Sequence, residues 1–138
     1  MTAYIDTSAL LRLVLREPGA VEQLRSVETL VSSELIEVES RRTIDRLRLQ
    51  GALTAEEAAE RFKIVAEWLE AIDLVLVRPP VLSRAGDPLP MPLGTLDAIH
   101  LATALIWRDR MTPLDVLATH DTSLALAARA FGFDVLGA

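Results

Sequence analysis

Short apolar runs that are typical of buried strands alternate with longer helical segments along this sequence. The predicted strands cover residues 2–5, 30–31, 74–77, 116–118 and 135–136. Strands separated by helical patterns of about 10–15 residues favour βαβ units, whose strands lie parallel in one sheet. The alternation therefore predicts an α/β fold, a three-layer α/β/α sandwich with a central, mainly parallel sheet.

The segments between these runs carry helix start and stop signals. Helices are predicted over residues 8–16, 20–27, 34–50, 54–72, 81–85, 96–110 and 122–131. Gly51 ends the third of them, and Thr54 with Glu57 forms a capping box for the fourth, so these two are expected to form an antiparallel hairpin. Thr95 is the predicted cap of the helix over 96–110, which is apolar nearly all round and should be central and buried.

The size of the chain and its residue types restrict its class. A length of 138 residues fits one domain, residues 1–138, because a chain of about 150 residues buries roughly 70% of its unfolded surface. The absence of cysteine excludes disulfides and thiolate metal sites and is compatible with a cytoplasmic protein. We expect no signal peptide and no membrane span, since no apolar run approaches the ~20 residues that cross a bilayer.

The charge balance limits how this chain can bind nucleic acid. It has 14 basic and 20 acidic side chains and a net charge of −6, the wrong sign for binding through a broad cationic surface. Aromatic residues make up only 4%, so stacking platforms for bases are scarce. Acids that are clustered around bound cations would still allow contact with phosphate through the metal.

Three acidic residues lie where predicted strands give way to helices or where a helix begins. Asp6 and Asp121 each follow a predicted strand, and Asp97 lies at the start of the helix over 96–110. Each has an ordinary explanation, because Asp caps helices well and is favoured in their first turn. Ligands of open α/β folds, however, bind outside the carboxyl ends of strands. Together the three acids predict a site for a divalent cation.

Glu39 is a fourth candidate, for a different reason. On the helix over 34–50 it falls inside the apolar arc marked by Leu35 and Val38, so it should point toward the sheet. Arg42 and Arg46 share that arc. A buried Glu39–Arg42 ion pair is the structural alternative, although buried ion pairs are weak contributors to stability and need another reason to exist.

Four motifs give the chain a family resemblance. They are YIDTSAL over residues 4–10, VSSELIEVESRR over 31–42, TLDAIHLATA over 95–104 and THD over 119–121. In order, spacing and total length these motifs resemble the PIN-domain nucleases of the VapC toxin type, and the resemblance covers the whole chain. It implies an endoribonuclease dependent on Mg²⁺ or Mn²⁺, with one ion or two, that cuts tRNA, rRNA or mRNA. It also implies a homodimer and a cognate antitoxin, which can form a hetero-oligomer with it.

The resemblance places the acidic quartet of the family on Asp6, Glu39, Asp97 and Asp121. Asp6 and Asp97 would be the principal metal ligands, Glu39 a ligand or an orienter of metal-bound water, and Asp121 an outer or second-metal ligand. The small polar residue beside the first acid would be Ser8.

Several neighbouring residues keep two interpretations. Asp115 could replace Asp121, but Asp121 is preferred because it follows the predicted strand, whereas Asp115 precedes it. Thr119 either positions the metal or phosphate or is an ordinary strand residue. Arg42 could contact RNA phosphate, contact an acidic group of the antitoxin or neutralise the acids. His100 is interpreted as a core or interface histidine and not as a catalytic residue.

Three other functions compete with this interpretation. Haloacid-dehalogenase phosphatases carry a second Asp where this chain has Ser8. Phospho-receiver domains need a late Lys, whereas Lys63 is the only lysine here and lies in a predicted helix. A catalytically silent PIN-like module that only binds metal or a partner is the more serious alternative. The presence of all four acids argues against it.

Overall fold

Five parallel strands form one sheet in the order β3-β2-β1-β4-β5. The computed structural model describes residues 1–138. Its strands are β1 Thr2–Ile5, β2 Thr29–Ser33, β3 Ile72–Val75, β4 Val116–Ala118 and β5 Val135–Leu136. The predicted α/β class is confirmed, and the sheet is parallel throughout. The central strand β1 has its carboxyl end beside those of β2 and β4.

Six α-helices and one short 3-10 helix connect the strands. They are α1 Thr7–Val14, the 3-10 helix Glu22–Ser26, α2 Leu35–Leu49, α3 Ala55–Glu70, α4 Pro79–Ala85, α5 Thr95–Arg110 and α6 Thr122–Ala130. The predicted capping box forms, with the Thr54 hydroxyl accepting from the Glu57 amide and the Glu57 carboxylate accepting from the Thr54 amide. No helix is both long enough and apolar enough to traverse a bilayer.

Alternate side chains of β1 pack against the helices on opposite faces of the sheet. Ala3 and Ile5 pack with α1, α2 and α3 on one face, while Tyr4 packs with α5 and α6 on the other. Successive strand residues point to opposite faces, so one short strand supports both helical layers. Each fully buried aliphatic side chain contributes about 1.5–3 kcal/mol to this arrangement. Residues 98–105 of α5 are all buried, which confirms the predicted central helix.

Several predicted boundaries are wrong. The helix predicted over 20–27 is the 3-10 helix Glu22–Ser26, and the helix predicted to residue 72 ends at Glu70. Strand β3 begins at Ile72, two residues before the predicted start, because Ile72 is buried and pairs with Leu30 of β2. β3 is the edge strand, where the apolar run that suggested residues 74–77 lies partly in solvent. Helix α5 is preceded by an extended Gly94 without a side-chain cap, and Thr95 is already its first residue.

Candidate functional site

The predicted acids come from four places that converge at the carboxyl edge of the sheet. Asp6 follows β1, and Asp121 follows the neighbouring strand β4. Glu39 lies on α2, and Asp97 lies in the first turn of α5. Parallel strands bring their carboxyl ends to one edge, so residues far apart in sequence become neighbours there.

Asp6 is held by three hydrogen-bond donors. It is only 3% exposed and accepts hydrogen bonds from the Ser8 hydroxyl at 2.8 Å, the Ala9 amide at 2.9 Å and the Thr119 hydroxyl at 2.6 Å. Burial raises the pKa of this carboxyl, and the hydrogen bonds from Thr119, Ala9 and Ser8 only partly offset that effect. The three donors fix the orientation of the carboxylate at the edge of the sheet.

Hydroxyl groups join the ends of β1 and β4. The Ser8 hydroxyl accepts from the His120 amide at 2.8 Å, and the Thr119 hydroxyl accepts from the Asp121 amide at 3.0 Å. Asp121 in turn accepts from the Leu124 amide at 2.8 Å and caps α6. The predicted supporting residues Ser8 and Thr119 therefore lie against Asp6 and tie it to the loop that carries Asp121.

Glu39 points into the site, as the helical arc predicts. Its Oε1 accepts from the Thr7 hydroxyl and from His100 Nε2, both at 2.7 Å. Burial raises the pKa of Glu39, but the hydrogen bond and charge of His100, together with Thr7, outweigh burial and lower it. The alternative Glu39–Arg42 pair is wrong, because Arg42 extends into solvent and donates to Asp45. A long exposed side chain such as that of Arg42 can reach several nearby acids, and helical spacing alone does not determine which of them it binds.

A buried hydrogen-bond chain lies behind Glu39. His100 is 1% exposed, with its Nδ1 2.7 Å from the Tyr4 hydroxyl, which also accepts from the Ser33 amide at 3.2 Å. The Glu39 carboxylate can only accept, so Nε2 of His100 carries a proton and donates to it. In the neutral imidazole Nδ1 is then an acceptor, and the Tyr4 hydroxyl, whose pKa burial strongly raises, donates to it. Strand β1, helix α5 and helix α2 are thus linked through Tyr4, His100 and Glu39.

His100 has a larger role in the structure than the sequence pattern predicts, and the pattern predicts no role for Tyr4 or Thr7. His100 is buried as expected of a core histidine, but it also binds a predicted acid. The available signal was chemical, because a histidine inside an apolar helix must find polar partners for its ring nitrogens. Glu39 is the acid that the helical pattern predicts to face inward, so it is the natural candidate for a polar partner of His100.

The charges of the other three acids affect the pKa of Asp97. Burial raises its pKa, and the nearby charges of Asp121, Asp6 and Glu39 raise it further, against an opposing effect of His100, to about 6. The side chain is half-buried and accepts no hydrogen bond from the rest of the chain. All four predicted acids therefore share one electrostatic neighbourhood, with an excess of negative charge.

Asp115 lies away from this neighbourhood. Its carboxylate accepts from the Thr2 amide at 2.8 Å, beside the starts of β1 and β4. The starts and ends of these parallel strands lie at opposite edges of the sheet. Of the two candidates for the fourth acid, the fold brings Asp121, and not Asp115, to the others.

The donor set fits a hydrated divalent cation better than a cage made only of protein atoms. No three acidic or histidine side chains are arranged to enclose an ion. Mg²⁺ usually keeps several water ligands and is bound by one or two carboxylates, and Mn²⁺ accepts the same oxygen donors. The negative charge that raises the pKa of Asp97 is what such a cation would neutralise.

In EDTA, the wild-type protein is expected to lose stability relative to an Asp97→Asn variant as the pH rises from about 4 to 6. An unfolded chain releases the Asp97 proton near pH 3.8, whereas the folded chain holds it to about pH 6. Because the folded state binds the extra proton in this window, stability falls as the pH rises. Denaturant unfolding from pH 4 to 8 measures the difference, with Asp109→Asn at the far end of α5 as charge-matched control. Parallel curves for wild type and Asp97→Asn would contradict the prediction.

Sequence comparisons match most of the chain to known proteins. The family model of the PIN domain matches residues 3–130. Ribonuclease VapC46 of Mycobacterium tuberculosis is 36% identical over 137 residues, which cover 96% of this chain and 95% of the relative. Ribonuclease VapC47 of the same species is 31% identical over 130 residues, 94% of this chain and 92% of the relative.

Structural comparisons agree on the fold. A chain of a toxin-antitoxin complex from Klebsiella pneumoniae superposes with a TM-score of 0.59 at 17% identity, covering 89% of each chain. The crystal structure of PAE2754 from Pyrobaculum aerophilum gives a TM-score of 0.59 at 18% identity, covering 98% of this chain and 83% of that one. At these identities the similarity is one of fold.

Proposed function

Because the chain belongs to the PIN-domain family, we propose that it is a VapC-type toxin, an endoribonuclease that hydrolyses RNA phosphodiester bonds with the help of Mg²⁺ or Mn²⁺. The observation that carries this proposal is the shared electrostatic neighbourhood of Asp6, Glu39, Asp97 and Asp121. Two relatives that match nearly the whole chain are named ribonucleases, which supports RNA as the substrate.

We assign Asp6 and Asp97 as the principal holders of the cation. Asp6 is already oriented by Ser8, Ala9 and Thr119, so little freedom is lost when an ion binds. Asp97 has no such partners and can turn toward an ion. When bound, the ion would lower the pKa of an attacking water and offset negative charge on the scissile phosphate.

Glu39 is suited to orient a water molecule for attack. Thr7 and His100 occupy its Oε1, whereas its Oε2 accepts no hydrogen bond from the chain. The lowered pKa of Glu39 keeps the carboxylate ionised at neutral pH, so Oε2 remains a hydrogen-bond acceptor. Asp121, whose Oδ1 caps α6, is assigned an outer role.

The assembly of the toxin is part of the same proposal. The Klebsiella pneumoniae neighbour was described as part of a toxin-antitoxin complex, which supports a cognate antitoxin for this chain. An antitoxin that covers the carboxylates would block both the cation and the phosphate. A homodimer remains a prediction, which light scattering on the purified chain tests.

Cleavage is expected to require both the cation and Asp97. Purified wild-type protein is incubated with mixed tRNA, rRNA and mRNA in Mg²⁺, in Mn²⁺ and in EDTA, and the fragments are sequenced. Discrete fragments should appear with either metal, vanish in EDTA and be absent with Asp97→Asn. The Asp109→Asn protein, which loses the same charge at the far end of α5, should cut like wild type.

A silent binding module would give a different outcome. Well-folded, antitoxin-free protein would then leave every RNA intact in both metals. Calorimetry would still detect cation binding by the wild-type protein and its loss in the Asp97→Asn variant. That combination would reject the nuclease while retaining the metal site.

A further inference from the structure

A groove of about 400 Å³ opens beside Glu39, between helix α2 and the start of helix α5. Glu39 forms part of its wall, so the groove is continuous with the proposed active site. Leu96, the residue directly before Asp97, lines its other side. A ligand in this groove therefore lies next to the proposed active site.

Arg46 gives the groove an unpaired positive charge. Helix α2 carries four arginines, and three of them are paired with acids of the same helix. These pairs are Arg41–Glu37, Arg42–Asp45 and Arg48–Asp45. Arg46 is exposed, lines the groove and has no carboxylate within ion-pair distance. A free guanidinium has five donors in a planar fork that matches the oxygens of a phosphate.

The two arginines of the groove, Arg42 and Arg46, lie on the same stripe of helix α2 as Glu39. Arg42 and Arg46 follow Glu39 by three and seven residues, which places all three on one stripe of the helix. Arg46 is two turns away, about 10 Å along the helix axis. Negative charge at the cation site thus gives way to positive charge along the groove. A chain of phosphates that crossed the site would meet these arginines next.

The remaining walls suit a nucleobase. Val38 and Leu96 line the groove with side chains that are 52% and 50% exposed. Guanidinium planes pack against the faces of unstacked bases in single-stranded RNA. Apolar side chains pack against an extruded base in the pockets of base-flipping enzymes. Few aromatic residues are present in this chain, so aliphatic surface has to serve that purpose. Cationic and apolar walls together match the two parts of one nucleotide.

We propose that this groove binds the nucleotide adjacent to the scissile phosphate of single-stranded RNA. Arg46, assisted by Arg42, contacts the phosphate of that nucleotide, while Leu96 and Val38 contact its base. The inference rests on the proposed ribonuclease function and adds the residues that hold and select the substrate. Arg42 exchanges its exposed bond with Asp45 for the phosphate, an exchange that costs little at the surface.

Replacing Arg46 with Gln tests the phosphate contact. A short single-stranded RNA that wild type cleaves is the probe, and KM and kcat are measured in Mg²⁺ at several salt concentrations. We expect KM to rise about tenfold with kcat little changed, and the slope of log KM against log salt to fall by about 0.7, the value for one lost phosphate contact on a single strand. Arg110→Gln, which removes an exposed arginine about 20 Å from Asp97 along α5, is the matched control.

Direct binding separates this inference from the proposed function. Fluorescence anisotropy of the same RNA is measured on the Asp97→Asn protein, which does not cut, with and without the Arg46→Gln change. A tenfold loss of affinity on adding that change supports the groove. If wild type cleaves but Arg46→Gln alters neither KM, affinity nor salt slope, RNA does not occupy the groove and a protein partner becomes the candidate. If wild type neither binds nor cleaves RNA, both proposals fail.

Leu96→Ala tests the base contact. Wild-type and variant proteins digest a randomised single-stranded RNA pool, and sequencing of the fragments gives the base preference on each side of the cut. We expect the preference at one flanking position to weaken, while preferences elsewhere persist. An unchanged preference at every position, together with an unchanged KM, would remove Leu96 from the proposed site.

Discussion

The Asp6→Asn protein is expected to fold and yet to cleave RNA about a thousand-fold more slowly in saturating Mg²⁺. Asn caps helices about as well as Asp, so α1 should still begin at the same residue. The amide, however, replaces one carboxylate oxygen with a donor that faces the Thr119 hydroxyl and cannot bind a cation. The loss corresponds to several kcal/mol of transition-state stabilisation, which metal ions typically supply.

Single-turnover cleavage of a defined RNA measures this loss, and thermal unfolding in EDTA verifies the fold. Asp115→Asn is the matched control, because it removes the same charge at the opposite edge of the sheet and should cut at the wild-type rate. Activity of Asp6→Asn within threefold of wild type would show that Asp6 does not hold the cation. A slow Asp115→Asn protein would contradict the choice of Asp121 as the fourth acid.

His100→Leu is expected to lower the free energy of unfolding by about 2–4 kcal/mol. The substitution fills similar space but leaves the buried Tyr4 hydroxyl without its acceptor and removes a donor from Glu39. The lost hydrogen bonds, rather than lost packing, account for most of the cost. Urea unfolding of the wild-type and variant proteins measures it.

A double-mutant cycle that combines Tyr4→Phe with His100→Leu shows whether the hydrogen bonds of Tyr4 and His100 depend on each other. Tyr4→Phe alone should cost about 1–3 kcal/mol, and the double variant should cost less than the sum of the single changes. His100→Gln, which can still donate to Glu39, should recover cleavage more than it recovers stability. Strict additivity, or equal cleavage by the Leu and Gln variants at a temperature where both are folded, would contradict a positioning role for His100.

Much of the fold follows from local signals. The first strand, the capping box at Thr54 and the buried helix α5 each depend on a short stretch of sequence, and the structure contains all three. Strand β3 was misplaced because its boundaries depend on pairing. Ile72 belongs to the strand through its partner Leu30, which lies in another part of the chain.

The candidate site likewise combines features that local sequence predicts with features that depend on how distant elements pack. The positions of its four acids could be predicted because each marks a strand end, a helix start or an inward helix face. The link between Tyr4, His100 and Glu39 could not, since it requires knowing how β1, α5 and α2 pack together. The sequence does not predict Asp45 as the partner of Arg42 for a different reason, because an exposed guanidinium can reach several neighbouring acids.

The hydrogen bond from Thr119 to Asp6 joins residues that lie 113 positions apart in the sequence. Ribosomes add about 5–20 residues per second, so Thr119 and Asp121 are made roughly 6–23 s after Asp6. A nascent chain therefore carries its first three acids without the residues that orient one of them and complete the set. The candidate site is therefore complete only when nearly the whole chain has been synthesised.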